Sequence, residues 1–387
     1  MTRKQIISLG VALFAIFFGA GNVVFPLDLG RMMGDHVTPA IVGIFFSAVV
    51  MPLLGLFSGV LFGGDYRAFF QRLGKKSGEL WAFLCMILIG PFGAIPRTIT
   101  LSHSAFAWYF PSFSLAMFSF LSAIIVWFLT VRKNEVMDVI GRYLGPLKIV
   151  LLLSVIVSAF FIKVTPPHTD ISNLNALVSG FFEGFLTLDL LGAIFFSKLV
   201  FDALDKDLLS SPQRLLHSLF KAGVIGSLLL GGVYVGFMVA GAIHAAAVTT
   251  VPREQLIFAL SDHLLGRLGM LSSFTVAAAC LTTAVALTSL FADYLSIYIF
   301  RRKISYRVAV TLTVTITAAF ANLGFSGIMD VIVPIVTVCY PAMIVLSILN
   351  ILYKTNGFRF VKVPVYATVV ITFFVQYWDR ISALLCG

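Results

Sequence analysis

Residues 18–26 read FGAGNVVFP and interrupt the first long apolar run of the chain, which covers about residues 5–30. Each glycine costs roughly 1 kcal/mol in a helix interior, and a proline costs about 3 kcal/mol. An apolar run of this length is typical of a membrane helix, because about 20 apolar residues cross the hydrocarbon core. The stretch therefore predicts a membrane helix broken near its middle, although Gly19 and Gly21 would also suit close packing of two helices.

The composition extends this interpretation to the whole chain. Of 387 residues, 59% are hydrophobic and only 11% are charged, whereas about a quarter of a soluble domain is charged. The apolar residues suffice for about eleven spans of ~20 residues. A water-soluble enzyme, a nucleic-acid-binding protein and a disordered scaffold are therefore not expected. The partner is a lipid bilayer, and the net charge of +10 is explained by basic residues concentrated on one side of it.

Eleven apolar runs bounded by charged or turn residues are predicted to cross the membrane. Their approximate ranges are 5–30, 40–63, 79–103, 115–131, 147–164, 178–203, 217–243, 270–299, 305–322, 326–352 and 364–385. The largest loops between them are 64–78, 204–216 and 244–269, so no separate soluble domain is expected. The basic N-terminus resembles a signal peptide, but the apolar run continues past Pro26, which favours an uncleaved helix.

The positions of lysine and arginine predict the orientation. With the N-terminus in the cytoplasm, 21 of the 27 basic residues fall on the cytoplasmic side, five fall outside, and Arg97 lies within a span. This bias follows the positive-inside rule, and one missed or added helix would reverse every later loop. We therefore expect a multi-pass protein of the cell (inner, cytoplasmic) membrane with a cytoplasmic N-terminus.

The sixth span carries a second set of polar and flexible residues. Asp189 and Gly192 follow Thr187 and Leu188 near its middle, and Glu183 precedes them. A charged side chain at this depth costs a few kcal/mol, so it faces the protein interior or water and marks a functional site by default. Pairing with a buried cation is the structural alternative for Asp189.

The two interrupted spans stand in corresponding places. Five crossings separate them, so spans 1–5 and 6–10 form two halves of opposite orientation, each opening with a broken helix. This arrangement predicts an inverted-repeat transporter with its site near the midplane of the membrane. Half-helix N–H groups there attract an anion, and freed carbonyl groups attract a cation.

Spans 3 and 8 add further polar residues. Span 3 contains Pro91, Pro96 and Arg97, which are costly inside a membrane; Arg97 either pairs with Asp189 or lines a vestibule. In span 8, Thr282 and Thr283 are oxygen donors suited to a small cation, but threonine also bonds to the carbonyl four residues earlier in its own helix.

Other classes of membrane protein are disfavoured by what the sequence lacks. The four cysteines show no CxxC spacing, and the sequence contains no HExxH or GxSxG motif. An integral membrane enzyme would need a nucleophile–base pair or a metal cluster, and a channel would need a filter motif or a ring of charges. Neither is expected, and no cofactor is expected.

Four motifs together resemble those of a known family, the branched-chain amino acid:cation symporters (BrnQ-type or LIVCS carriers). They are residues 18–26, residues 89–98 (IGPFGAIPRT), Leu186-Thr187-Leu188-Asp189 and residues 279–283 (ACLTT). That family is similar in organisation to the LeuT-type fold, a 5+5 inverted-repeat helical bundle with helices 1 and 6 broken. The resemblance implies one all-α transporter domain over residues 1–387, with repeats at about 5–164 and 178–353 and an extra helix at 364–385. The chain departs from the family pattern in two ways. It has about eleven spans, whereas family members usually have twelve. From Asp189 it reads DLLG, whereas family members more often read DALA.

The resemblance also implies a function and its residues. The function is sodium-coupled uptake of leucine, isoleucine and valine into a bacterial cell, and sodium is the coupling ion. The implied sodium ligands are the carbonyls of Gly21 and Val24 with Ala279, Thr282 and Thr283. The expected substrate residues are Gly21, Asn22, Val23, Val24, Phe92, Ile95, Thr187, Leu188, Asp189 and Leu191. Structural or gating roles are expected for Gly19, Pro26, Arg97 and Gly192. A proton-coupled carrier, with Asp189 or His103 carrying the proton, or a carrier for another neutral amino acid remains the alternative.

Overall fold

The computed structural model describes residues 3–19, 21–131, 145–162, 164–202 and 212–386. Within these ranges the regular elements are all helical, and none is a β-strand. Outside these ranges lie Ala20 of the 18–26 stretch and five of the basic residues counted for the orientation, namely Arg132, Lys133, Arg142, Lys163 and Lys206.

The first half of the chain folds into helices that follow the predicted runs with added interruptions. They are α1 (Arg3–Phe17), α2 (Gly21–Met33), α3 (Val37–Phe45), α4 (Met51–Leu61), α5 (Tyr66–Gln71), α6 (Lys75–Ile89), α7 (Ala94–Ala107), α8 (Leu115–Val131) and α9 (Gly145–Phe161). A π-helical turn at Phe46–Val50 joins α3 to α4, so these two helices form one continuous helical segment.

The second half begins with another pair of short helices. Its helices are α10 (Asn173–Phe185), α11 (Asp189–Asp202), α12 (Pro212–Ile243), α13 (Leu256–Leu265), α14 (Gly269–Tyr294), α15 (Tyr306–Ala321), α16 (Gly324–Asn356) and α17 (Lys362–Cys386). The axes of α10 and α11 are bent by 42° at their junction.

Several of these helices are long and apolar enough to cross a membrane. Among the described residues they are Gly21–Leu61, Lys75–Ala107, His217–Ile243, Arg253–Ile299 and Gly324–Asn356, and the bent pair α10–α11 adds one more. Leu115–Val131, Leu152–Phe161 and Tyr306–Ala321 are apolar but shorter. The chain is therefore a multi-pass membrane protein.

Two predicted loops contain helices. The loop at 64–78 includes α5, and the loop at 244–269 includes α13. Leu256 and Phe258 of α13 are completely buried in the main core, because this segment folds back over the ends of the membrane helices. Its apolar residues form too short a run to be recognised as a membrane span in the sequence.

The third predicted span is also divided. Residues 90–93, which read GPFG, separate α6 from α7. A Cβ on Gly93 would overlap the Leu88 carbonyl, and one on Gly90 would meet the Met86 carbonyl, so neither position has room for a side chain. The break lets α7 start a new turn, and Arg97 lies in that first turn.

Glycine seams hold the half-helices next to the breaks against long neighbours. A Cβ on Gly30 of α2 would overlap the backbone of α12, and one on Gly241 of α12 would overlap the backbone of α2. Gly43 of α3 and Gly180 of α10 contact each other's helices in the same way. Small residues let helix backbones approach closely in membranes. Each of these two pairs therefore joins a half-helix from one half of the chain to a helix from the other half.

Candidate functional site

The first break lies between α1 and α2 and is bridged by one side chain. Asn22 is 1% exposed; its Nδ2 donates to the Phe17 carbonyl at 3.0 Å, and its Oδ1 accepts from the Gly19 N–H at 3.3 Å. A buried backbone group without a partner is costly, and the short Asn22 amide supplies one donor and one acceptor within a single turn. The Asn22 side chain thus provides hydrogen-bond partners for backbone groups at the break in the 18–26 stretch.

The second break lies between α10 and α11 and includes a strained residue. Leu188 has a φ of 62°, in the left-handed region that non-glycine residues seldom occupy. The Thr187 hydroxyl donates to the Gly184 carbonyl at 2.8 Å and accepts from the Asp189 N–H at 3.4 Å. Strain of this kind persists where the surrounding structure enforces it, and it is concentrated at functional sites.

The two breaks meet through a buried polar triad, defined here as Asn22, Asp189 and Tyr234. Asn22 Nδ2 donates to Asp189 Oδ2 at 2.8 Å, and the Tyr234 hydroxyl of α12 donates to the same oxygen at 3.0 Å. Asn22 Nδ2 also contacts the Tyr234 hydroxyl. A Cβ on Gly21 would lie 3.6 Å from Thr187 Cα, so the backbones of the breaks face each other.

Two tyrosines of this region are not predicted as site residues from the sequence. Tyr234 lies in α12, and Tyr340 lies in α16, where its hydroxyl accepts from the Leu190 N–H at 3.2 Å. That N–H belongs to the first turn of α11, where helical N–H groups have no partner within the helix. Each tyrosine stands alone in an apolar helix, and only the three-dimensional arrangement brings it to a break.

Arg97 reaches the second break from α7. Its Nη1 donates to the Leu186 carbonyl at 2.6 Å, a group freed by the end of α10, and its guanidinium lies 5.3 Å from the centroid of the Phe25 ring. Within the described residues no ion pair of 4 Å or less joins Arg97 to Asp189. The direct pairing considered from the sequence is therefore not formed, because Asp189 is engaged by neutral donors and Arg97 by a carbonyl.

A cavity that is partly open to solvent lies between the two breaks. The predicted residues that line it are Gly19, Gly21, Asn22, Val24, Arg97, Thr187, Leu188, Asp189, Gly192 and Thr283. Thr98 and apolar residues complete the wall, and the apolar ones not predicted as site residues are Phe17, Phe25, Ile89, Ala94, Leu101, Phe196, Leu287 and Phe325. One wall therefore consists of polar helix ends, and the rest is aliphatic and aromatic.

The other predicted site residues lie outside this lining. Ile95 and Leu191 are buried in the core, whereas Phe92 is 38% exposed and packs edge-on against Phe320 at 5.2 Å. Phe92 belongs to the 90–93 break between α6 and α7. The remaining predicted residues that do not line the cavity are Val23, Pro26, Ala279 and Thr282.

The threonines of α14 differ in position. The Thr282 and Thr283 hydroxyls both donate to the Ala279 carbonyl, at 2.7 Å and 3.1 Å, which is the bonding within one helix that the sequence left open. Thr283 also faces the first break, because a Cβ on Gly19 would lie 3.9 Å from its hydroxyl oxygen. A cluster of three or more His, Cys, Asp or Glu side chains able to hold a metal is absent from the described residues.

An ion-pair cluster lies at one end of α2 and α10. Arg253, in the short turn before α13, contacts Asp28 of α2 at 2.9 Å and Glu183 of α10 at 3.3 Å. Asp28 is 1% exposed and also pairs with Arg31. The Phe25 ring lies between the guanidinium groups of Arg97 and Arg253, which are 5.3 Å and 5.9 Å from its centroid. This cluster therefore connects the two half-helices α2 and α10.

Comparison with known proteins agrees with this architecture. The family model described as branched-chain amino acid transport protein matches residues 2–386. The branched-chain amino acid permease BraB of Bacillus subtilis is 32% identical over 363 residues, covering 91% of this chain and 80% of the permease. The branched-chain amino acid transport system 3 carrier protein of Pseudomonas aeruginosa is 33% identical over 363 residues, covering 90% and 80%.

Solved structures identify the fold. The inward-facing conformation of Mhp1 superposes with a TM-score of 0.67 at 12% identity, covering 97% of this chain and 91% of Mhp1. At that identity the likeness establishes the LeuT-type transporter fold alone. The matching family and relatives are permeases rather than enzymes, and the family model covers nearly the entire sequence. The chain therefore belongs to the branched-chain amino acid transport protein family.

Proposed function

We propose that this transporter is a sodium-coupled symporter that imports leucine, isoleucine and valine across the cytoplasmic membrane by alternating access. The observation that supports this most strongly is the cavity between the two helix breaks. Its polar wall suits the charged backbone groups of an amino acid, and its apolar wall suits a branched aliphatic side chain. The names of the relatives specify the same class of substrate.

The substrate orientation follows from the polarity of the helix ends. The α-carboxylate lies at the start of α2, because the first N–H groups of a helix lack partners and attract anions. The α-ammonium lies near Asp189 and the carbonyls of residues 187–190 at the second break. The side chain then points toward residues such as Val24, Ile89 and Leu101, which line the cavity.

The coupling ion in this proposal is sodium held by oxygen atoms. A hydroxyl that donates to the Ala279 carbonyl keeps lone pairs that accept a cation. Thr283 meets this requirement and also faces the first break, whose freed carbonyls provide further oxygens. Gly21 and Val24 line the same cavity as Thr283, while Ala279 and Thr282 lie outside the lining.

Proton coupling is the competing proposal. Its two candidate proton carriers, Asp189 and His103, differ in position. Asp189 lines the cavity. His103 bonds to the Phe113 carbonyl through Nε2 at 2.9 Å and packs against Phe118 near the end of α7. His103 therefore does not contribute to the cavity lining, and Asp189 is the residue through which a proton would act.

Uptake of radiolabelled leucine into proteoliposomes tests the proposal, with sodium, lithium and pH gradients imposed separately. We expect uptake with an inward sodium gradient, competition by isoleucine and valine, and no competition by lysine or glutamate. Equal leucine uptake without sodium, driven by a pH gradient alone, would show that the coupling ion is the proton and not sodium. Absence of leucine uptake under every gradient would contradict the proposed substrate.

A further inference from the structure

Arg97 is a buried cation with unused hydrogen-bonding capacity in the cavity. Its side chain is 6% exposed, and it lines the cavity together with Asp189. A guanidinium group carries five N–H donors, whereas the oxygen acceptor found for Arg97 among the described residues is the Leu186 carbonyl. Its other close contacts are with the Met329 sulfur at 4.0 Å and with the Phe25 ring, and neither provides an oxygen acceptor.

Asp189 is a buried carboxylate that likewise lacks a partner of opposite charge among the described residues. Its Oδ2 accepts from the Asn22 amide and the Tyr234 hydroxyl, which are both neutral donors. A buried charge is strongly favoured to find an opposite charge in contact, but within the described residues Asp189 makes no ion pair. The cavity therefore holds one cation and one anion that are balanced in number and not joined to each other.

We propose that Arg97 is a specificity-determining residue that binds the α-carboxylate of the substrate, opposite the α-ammonium at Asp189. The inference deepens the proposed function and rests on it, since it assumes that an amino acid occupies this cavity. A zwitterion brings one negative and one positive group, so it completes both deficits at once. The start of α2 and Arg97 then act on the same carboxylate from two sides.

This arrangement makes the carrier selective for the amino acid backbone as well as for the side chain. An amine without a carboxylate leaves Arg97 unpaired in the occupied cavity, and a carboxylate without an amine leaves Asp189 unpaired. A site built around a buried polar group strongly rejects a ligand that lacks the matching group. Leucinol and 4-methylpentanoate, which each lack one charged group of leucine, are therefore poor ligands despite having the same branched chain.

A purely structural role for Arg97 predicts a different outcome. The bond to the Leu186 carbonyl caps the end of α10, and a glutamine at position 97 retains N–H donors for such a bond while removing the charge. If capping is the only role, Arg97→Gln preserves the preference for leucine over leucinol. If Arg97 binds the carboxylate, the preference is lost because the charge is absent.

Ligand-induced thermal stabilisation of the purified protein measures this preference, since stabilisation reports the ratio of ligand concentration to Kd even for weak ligands. Leucine and leucinol are titrated at saturating sodium into the wild type, Arg97→Gln, Arg97→Lys and Arg267→Gln. Arg267 is an exposed arginine outside the cavity and serves as the matched control. We expect Arg97→Gln to reduce the leucine-to-leucinol affinity ratio by about tenfold or more, the effect of losing one charge-assisted contact.

Arg97→Lys should retain an intermediate ratio, and Arg267→Gln should retain the wild-type ratio. Equal ratios in the wild type and in Arg97→Gln would overturn the inference. If Arg97→Gln fails to fold, equal affinity of the wild type for leucine and leucinol overturns it as well. Failure of the proposed function is distinguishable, because the wild type would then not be stabilised by leucine.

Discussion

At the scale of single residues, the triad of Asn22, Asp189 and Tyr234 explains how two broken helices form one site. One carboxylate oxygen of Asp189, at the second break, accepts from Asn22 at the first break and from Tyr234 of α12. Hydrogen bonds to an ionised group are about twice as strong as neutral ones. Tyr234 is therefore expected to fix the orientation of Asp189 without contacting the substrate.

Removing the Tyr234 hydroxyl tests this positioning role. Tyr234→Phe keeps the ring in the core but leaves Asp189 with one donor fewer, so we expect leucine affinity to fall by about tenfold, or ~1.4 kcal/mol. Leucine binding to purified protein measures the effect. Tyr366→Phe is the matched control, because Tyr366 lies partly exposed on α17 outside the cavity. Unchanged leucine affinity in Tyr234→Phe would show that the triad is dispensable for binding.

The two adjacent threonines of α14 provide a second test at this scale. Thr283 lines the cavity and Thr282 does not, although both hydroxyls bond to the same carbonyl. Valine keeps the shape of threonine without its oxygen. We expect Thr283→Val to raise the sodium concentration for half-maximal leucine uptake by about tenfold, or ~1.4 kcal/mol, and Thr282→Val to change it much less.

Uptake is measured at varied sodium and again at saturating sodium, where the leucine affinity of Thr283→Val should approach that of the wild type. A sodium dependence identical to the wild type in both variants would assign both hydroxyls to bonding within their own helix. A larger effect in Thr282→Val would place the ion on the other face of α14.

At the scale of elements, α2 and α10 are half-helices, one from each of the two broken spans. Glycines bring the backbone of α2 close to α12 and that of α10 close to α3. Arg253 connects the two half-helices through Asp28 and Glu183. Asp28 is almost fully buried, and loss of one partner from a buried ion pair is strongly destabilising. The Arg253 cluster is therefore expected to hold this end of the cavity closed.

Loosening this cluster should expose the cavity from that end. We expect Arg253→Gln to increase, by several-fold, the rate at which a membrane-impermeant thiol reagent modifies the protein carrying Met329→Cys. Position 329 suits this probe because Met329 lies beside Arg253 in a second cavity and contacts Arg97. Arg267→Gln is the control, because it removes an exposed arginine of the neighbouring turn. Equal modification rates in the two backgrounds would contradict a closing role for Arg253.

At the scale of the whole molecule, the sequence predicts the class of fold, and the comparisons confirm it. Interruptions by glycine, proline and aspartate are local features, so the stretches 18–26 and 186–192 point to their own breaks. The apolar wall is different, because Phe325 and Leu287 are ordinary apolar residues of long helices and only packing brings them to the cavity. Ile95 and Leu191, which the sequence predicts at the site, are buried in the core and do not line this cavity.

The two ends of the bundle can be assigned from contacts between distant loops. Trp108 and Tyr109, which follow α7, both donate to Asp262 of α13, so the end of α7 lies with the 244–269 segment. Arg67 and Arg301 line one cavity at the opposite end, near the start of α6. That second end also carries the basic residues Lys75 and Lys76, and such an excess favours the cytoplasmic side.

This polarity predicts which loops react from outside the cell. In a background with the four native cysteines replaced by serine, Thr250→Cys should be modified by an impermeant thiol reagent on intact cells, because position 250 is exposed at the end of the bundle with few basic residues. Lys76→Cys, also at an exposed position, should react only after the membrane is opened. The basic loops favour the cytoplasmic side, because each Lys or Arg near an anionic membrane surface is attracted to it by ~1 kcal/mol. Modification of Lys76→Cys in intact cells with protection of Thr250→Cys would invert the orientation and, with it, the direction of import.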